Sequence, residues 1–476
     1  MRLRPALLAA AAAGTLAVPA TADDLREALT LAYNTNPSLQ AARASQRALD
    51  ESVPIARAAG LPSLSGTATY THVTSGASLT GPDKILTLSA DLGVPIYAGG
   101  AIKNQVRAAE TRIKAGQADL RGTESGIFSA VVAAYLDVIA NEAIVGLRAK
   151  NVQVLGVNVQ STRDRFEIGD LTRTDVAQSQ SRLAIARSGL ESAEASLAGS
   201  RERYIQLVGK APENLQPPPP LTGLPANAED AVAIALENNP DLIAARTRSK
   251  AAGYDSAGAG AGRLPRVSVF AGADRTDYLG SLGGGAPLNQ VSTGSQVGVR
   301  ASIPIFSGGL PAAQQRQARA RESATLENEI ATEREVIATV RSAYTQWQAA
   351  NAVIVSSQTA VDAAALSLEG VRAENSVGNR TILDILNAEQ ELLNAQVQLV
   401  TSRRNAYVAG FNLLSAMGKA EARDLGLDGG ALYDPQDNYR RVHGKVFDWD
   451  LDPAPTVKST RTVDTKVQDG SVPGVK

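Results

Sequence analysis

Cysteine is absent from the 476 residues. This excludes disulfides, thiol nucleophiles and an N-terminal acylated cysteine. There are two histidines, His72 and His443, and neither has Asp or Glu at ligand spacing, so no metal site is expected. The formal net charge is -1, too small a field to recruit nucleic acid. Aromatics make up 4%, low for a compact core and normal for Ala-rich helices. Beyond the N-terminus no run reaches the roughly 18 apolar residues of a membrane helix. Walker A, G-x-S-x-G and H-E-x-x-H motifs are missing. Gly258, Gly260 and Gly262 precede a strand and do not link a strand to a helix, so no nucleotide loop is expected there. The expectation is a protein that is not an enzyme and carries no cofactor.

The N-terminus reads as an export signal. Arg2 and Arg4 are basic, residues 6–18 are apolar, and Ala20-Thr21-Ala22 is a cleavage site. Residues 1–22 are expected to be removed, so that Asp23 starts the mature chain. The protein is then placed in a bacterial periplasm, outer membrane or exterior.

The rest is written twice. Residues 28–65 recur at 231–268 with an offset of 203, pairing Asn36-Pro37 with Asn239-Pro240 and Leu61-Pro62 with Leu264-Pro265. From Pro95 the offset is 209 without a gap, pairing Pro95-Ile96-Tyr97-Ala98-Gly99-Gly100 with Pro304-Ile305-Phe306-Ser307-Gly308-Gly309. Two copies of one unit suggest a pseudo-symmetric assembly.

Each Asn-Pro places a capping residue before a proline at the first helical position. Four segments then alternate with period two, beginning at Leu64, Leu86, Val267 and Val297. Their length suits a tilted membrane strand, although a soluble sandwich shows the same alternation. Four strands cannot close a barrel, and lipid tolerates no open sheet edge, so the membrane reading requires an oligomer. Proline-poor, Ala/Gln/Glu/Arg/Leu-rich stretches follow at 96–211 and 312–434, as helices prefer. Val176, Leu183, Leu190, Leu197 and Tyr204 keep a heptad, matched by Ile385, Leu392, Leu399, Ala406 and Leu413. Leu386, Leu393, Val400, Tyr407 and Leu414 run beside the second set. Long helices packed side by side are implied. Each stretch breaks once, at Gly169-Asp170 and Gly378-Asn379, a helix-stop signal. The first limb spans on the order of 100 Å at 1.5 Å per residue.

The expected organisation is a signal peptide (1–22), N-terminal helices (23–62), a strand hairpin (63–96), a helical hairpin (97–212) and a Pro-rich linker (213–226). The second unit repeats this at 227–265, 266–305 and 306–429, followed by a polar tail (430–476) whose end, 453–476, is expected to be disordered. On these features alone a secreted trimeric coiled-coil adhesin and a soluble periplasmic scaffold remain alternatives to a membrane channel.

The second break is the most specific motif: Val377-Gly378-Asn379-Arg380-Thr381-Ile382-Leu383-Asp384-Ile385-Leu386. It resembles the periplasmic turn of the TolC family of outer-membrane channels, V-G-x-R-T-x-x-D-x-L. That family shares the N-P-x-L helix start, the P-I/L-aromatic-x-G-G junction and the duplication, and the resemblance covers about residues 23–430. Tyr433-Asp434-Pro435 with Tyr439-Arg440-Arg441-Val442 looks like the branch serving type I secretion.

The resemblance implies a mainly α fold with a β-barrel portion. A homotrimer forms one twelve-stranded outer-membrane barrel, embedded in outer-membrane lipid, and one twelve-helix periplasmic tunnel. It implies an exit duct for proteins or small molecules, served by a periplasmic adaptor and an inner-membrane ABC or proton-driven transporter. The tunnel closes at its tip. There Arg380 would bond Asp175 and Thr174, Arg403 would add a link, and Asn375 replaces a frequent gating Tyr. Asp384 would ring the constriction, with Asn387 where a second carboxylate ring often stands. Gly169 and Gly378 would expose backbone to the adaptor.

Overall fold

The computed structural model describes residues 24–75, 81–283, 287–427, 432–472 and 474. The expected signal peptide and its cleavage site lie outside them.

Each repeat follows one order. The first has α1 (Leu25–Thr35), α2 (Pro37–Asp50), α3 (Ser52–Ala58), β1 (Ser63–His72), β2 (Lys84–Tyr97), α4 (Ala101–Glu167) and α5 (Arg173–Val208). The second has α6 (Ala228–Asn238), α7 (Pro240–Gly260), a single 3-10 turn, β3 (Arg266–Asp277), β4 (Val291–Ser302), α8 (Leu310–Ser376) and α9 (Ile382–Ala416). A short α10 (Pro435–Val442) follows. The two repeat offsets govern the elements: α6 and α7 start 203 residues after α1 and α2, and α8 and α9 start 209 after α4 and α5. Both α4 and α8 have 67 residues.

The four strands form one antiparallel sheet in the order β1-β2-β3-β4. The two hairpins are therefore joined through β2 and β3. Register carries the apolar residues straight across: Leu64 faces Leu92, Leu92 faces Ala271, and Ala271 faces Val297. The next row, Ser65, Asp91, Gly272 and Gln296, lies on the other face and is polar. One departure from expectation is the start of β4, six residues before Val297. Ser292, Thr293 and Gly294 carry no apolar alternation but still pair with Thr276, Arg275 and Asp274 through backbone. β1 and β4 are both edges, and β1 is exposed along its whole length.

Below the sheet, α4 pairs with α5 and α8 with α9, giving two helical arms. The core lies at their waist, where Phe128, Val131, Tyr135, Leu39, Leu242, Leu413 and Met417 are buried together. One stretch of α4 is, by composition, long and apolar enough to cross a bilayer, contrary to the sequence reading. Its Phe128, Val131, Val132 and Tyr135 lie in this core, so packing accounts for its apolarity.

The Asn-Pro motif does more than cap one helix. Asn36 Oδ1 accepts from Ser38 N and Leu39 N at 3.0 and 3.3 Å, starting α2. Its Nδ2 donates to Leu207 O at 2.9 Å, at the C-terminal end of α5. Asn239 repeats this for α7 through Asp241 N and Leu242 N, and donates to Ala416 O of α9 at 2.9 Å. Each asparagine thus joins two helices end to end, its acceptor serving free N–H groups and its donor a free carbonyl. The approach is close: a Cβ on Gly418, whose φ is +71°, would lie 2.4 Å from Asn238 O. Two short helices thereby run the length of one long one.

The tail departs from expectation. Residues 453–472 lie on α5 as an extended strap. Arg201 Nη1 donates to Asp469 O at 2.8 Å and Ser471 O at 3.0 Å, while Glu202 accepts from Gln468 N at 2.9 Å. Val472 packs against the core. A strap fastened through its backbone leaves no periodicity in the sequence.

Asn36→Ala removes a cap and leaves a carbonyl unpaired, a loss of roughly 1.5–3 kcal/mol. Asn36→Ser keeps a cap acceptor without placing a charge against the Leu207 carbonyl and should lose less. Chemical unfolding of the detergent-solubilised protein would rank native above Ser above Ala; equal stability of Ala and native would discard the splice as a stabilising element.

Candidate functional site

The free ends of the two arms are built alike. Gly169 and Gly378 end α4 and α8 with φ of +83° and +82°, a conformation only glycine adopts freely. They are open: a Cβ on either would meet nothing within 4 Å. The next helices start with matched capping boxes. Asp175 Oδ2 accepts from Thr172 N (2.9 Å) and Thr172 Oγ1 (2.7 Å), and Asp384 Oδ2 accepts from Thr381 N and Oγ1 at the same distances. Asp175 is held below the usual carboxylate range first by the Thr172 hydroxyl, then by its backbone N–H. Asp384 is lowered first by the Thr381 backbone N–H and then by its hydroxyl. Both bonds favour the ionised form.

Each turn also carries one local ion pair, Arg165 with Asp170 at 2.6 Å and Arg380 with Glu374 at 2.7 Å. Within one chain, Arg380 is therefore held by its own turn. Among the described residues it makes no bond to Asp175 or Thr174. Glu374 faces it across the same turn, and the Asp175 oxygen is already held by Thr172. Thr174 is exposed. Asn375 fastens the turn by donating to Arg380 O at 2.7 Å. Arg403 donates to Gln358 at 3.2 Å, a bond within the second arm.

Other residues make the link. Arg182 Nη2 on α5 donates to Asn387 Oδ1 on α9 at 2.7 Å. Asn158 Nδ2 on α4 lies 3.3 Å from both Glu389 oxygens on α9, and Arg372 of α8 binds the same carboxylate at 2.9 Å. The Glu389 side chain is 5% exposed. Higher up, Arg404 of α9 holds Asp137 of α4 through two bonds of 2.8 and 3.2 Å. Asn387 was legible as a site residue, but as a constriction position. Glu389 had a signal that went unused: it interrupts the apolar stripe between Leu386 and Leu393, and a carboxylate there needs partners.

The comparisons follow this geometry. The family model described as "Outer membrane efflux protein" matches residues 28–210 and again 231–419, one match for each repeat. The chain belongs to the outer membrane efflux protein family. It is similar to the outer membrane efflux protein BepC of Brucella suis, with 34% identity over 90% of this chain and 92% of that protein. To the outer membrane protein TolC of Escherichia coli identity is 28%, covering 85% of this chain and 84% of TolC. Among solved structures, the CmeC outer membrane channel of Campylobacter jejuni gives a TM-score of 0.73 at 16% identity, covering 88% of this chain and 89% of that one. The CusC structure gives 0.72 at 18%, covering 84% and 92%. These two likenesses speak for the fold. Membership of the efflux family places the chain in the outer membrane, reaching into the periplasm, and removes the adhesin and scaffold alternatives.

The capping boxes have a pH signature. A depressed carboxylate stabilises the fold above its unfolded pKa, near 4, and the contribution is lost as pH falls through the folded value. Amide protection at the starts of α5 and α9, measured against the intrinsic exchange rate at each pH, should therefore fall below about pH 4. Asp384→Asn should remove that dependence from α9 only; an unchanged profile would show that the cap is not what titrates.

Proposed function

We propose that this chain is the outer-membrane exit duct of a tripartite export system, working as a homotrimer. The carrying observation is the incomplete sheet: four strands with both edges unpaired and no residue of either face buried, ahead of arms whose longest helices have 67 residues. Such a sheet is stable neither in water nor in lipid until its edges find partners. Three copies supply twelve strands, above the roughly eight at which membrane barrels begin. The continuous row Leu64, Leu92, Ala271 and Val297 faces lipid, and the row holding Asp91 and Gln296 faces the lumen.

The six arms then surround one conduit, and its tip is the gate. Arg182–Asn387 and the Asn158–Glu389–Arg372 cluster hold the two arms of each copy together just above the turns. The Arg380, Asp175 and Thr174 lock belongs to contacts made when copies assemble. Asp384, ionised down to low pH, lines the constriction and favours cations by direct charge attraction. Asn387 adds no charge there and is already committed to Arg182. Hydrogen bonds to charged groups contribute roughly 1.5–3 kcal/mol each. A shift of about 5.5 kcal/mol carries a two-state gate from 99:1 to 1:99. Three symmetric copies are thus enough to keep the tip shut, and a partner of ordinary affinity is enough to open it. A periplasmic adaptor docks at the open backbone of Gly169 and Gly378, and an inner-membrane transporter supplies the energy.

The purified protein in a planar bilayer should form cation-preferring pores of low conductance. Arg182→Ala combined with Asn158→Ala should raise that conductance several-fold, and Arg380→Ala with Asp175→Ala should do so independently. No conductance from any of these proteins would refute the duct, whereas native conductance in one pair would remove that pair from the gate. The cargo follows from a deletion strain: lost extracellular protein indicates type I secretion, and gained drug sensitivity indicates small-molecule efflux.

A further inference from the structure

The geometry points to a second membrane contact outside the sheet: the turn Phe447-Asp448-Trp449-Asp450 seats its aromatic side chains in the periplasmic leaflet of the outer membrane. The inference rests on the barrel reading above.

The turn stands out as apolar surface without a protein partner in the chain. Phe447, Trp449 and Leu451 are 72%, 83% and 80% exposed. Its backbone is nonetheless held in shape. Asp450 N donates to Phe447 O at 3.1 Å, Lys445 binds Asp450 at 3.0 Å, and Arg441 grips Asp452 through two bonds of 2.6 and 2.7 Å. Of the three carboxylates beside these apolar residues, Asp450 and Asp452 are thus paired with Lys445 and Arg441. A fixed, exposed aromatic pair on a charge-paired base suits an interface that accepts a ring's apolar body and its polar edge together.

Its position identifies the occupant. The C-terminal chain climbs parallel to α2 and α3, toward the sheet. Tyr433 N donates to Tyr33 OH, Asn438 Nδ2 to Asp50, and the His443 carbonyl accepts from Arg57. Tyr439 packs with Val53, Ala56, Val106 and Ala109. Val106 lies five residues into α4, so this level is about 8 Å below the start of the helix at 1.5 Å per residue. From His443 the chain continues outward and returns at Asp452 to Arg441. Its four outgoing residues reach at most about 13 Å. Phe447 therefore lies within about 13 Å of His443, whose carbonyl binds Arg57 six residues before β1, so the turn stands near the feet of the strands, where Ile96, Tyr97, Ile305 and Phe306 are exposed. These are the residues that meet the lower edge of the bilayer in the barrel reading, and the turn continues their apolar rim outward on α10, whose helix packs on α2.

The chain has two tryptophans, Trp347 and Trp449. Trp347 lies on α8 against Tyr344, far from the sheet. The test reconstitutes the full-length protein in phosphatidylethanolamine/phosphatidylglycerol vesicles, some containing phosphatidylcholine brominated near the headgroup end of its acyl chains. The Trp449 signal is the difference between the native protein and Trp449→Phe. Brominated lipid should quench that difference about twofold, and aqueous iodide should quench it less than free tryptophan. Tyr97→Trp in the Trp449→Phe background reports the barrel itself, with Phe306→Trp as its substitute should that protein not assemble. Lipid quenching at the strand foot without quenching of Trp449 overturns the inference and leaves the barrel reading standing. If iodide is also excluded from Trp449 in that case, a neighbouring copy covers the turn. Lipid quenching at neither position overturns both.

Discussion

Two asparagine side chains set the proportions of this molecule. A helix of 67 residues can be covered along its length only by something equally long, and the helices paired with α4 and α8, α5 and α9, have only 36 and 35 residues. Asn36 and Asn239 solve this by making one continuous column from two helices. An amide side chain has both an acceptor and a donor on one rigid plane, so it can satisfy a helix start and a helix end at once. Serine or aspartate could cap the start but could not also donate to the carbonyl in the same way. The proline that follows asks for no hydrogen bond at the position where none is available. With the columns in place, the waist core can form between four helical layers, and the sheet above and the tip below are held at a fixed separation.

At the tip the same economy of parts separates what is local from what is shared. The turns are closed units: a left-handed glycine, a Thr/Asp capping box and one ion pair settle each without help from the other arm. The links between arms sit one or more helical turns higher, on side chains pointing away from the turn. Shape and closure are therefore controlled by different residues. A substitution in Arg182 or Asn158 would loosen the link between the arms without unfolding the turn, and damage to a capping box would fray the turn while the arms stay joined.

Much of the architecture was legible because the sequence repeats itself. The offsets gave the element boundaries, period two gave the strands, and heptads gave the paired helices. The capping function of Asn-Pro was visible too, but its second half was not, because the carbonyl it reaches lies 171 residues further along the chain from Asn36 and 177 from Asn239. The same distance problem hid the partner that Arg380 takes within its own chain. Its nearest carboxylate, Glu374, is six residues away and wins on proximity over Asp175, which lies in the other arm. Glu389 was readable in principle as a charge within an apolar stripe. The C-terminal strap was not, since backbone carbonyls bound by Arg201 write no pattern into side chains.

The six residues by which the second repeat exceeds the first fall between 268 and 304, within its strand hairpin. None falls in the arms. One residue added to α8 would turn everything beyond it by about 100° and advance it by about 1.5 Å. Heptad, cap and inter-arm bond would then all miss their partners. A loop beyond the end of a strand has no such phase to keep. The molecule is therefore free to vary in its strand hairpins and locked in length along its helical arms. Exchange of hairpin loops between members of the family should be easy, and any change of arm length would have to come in whole heptads made in both repeats together.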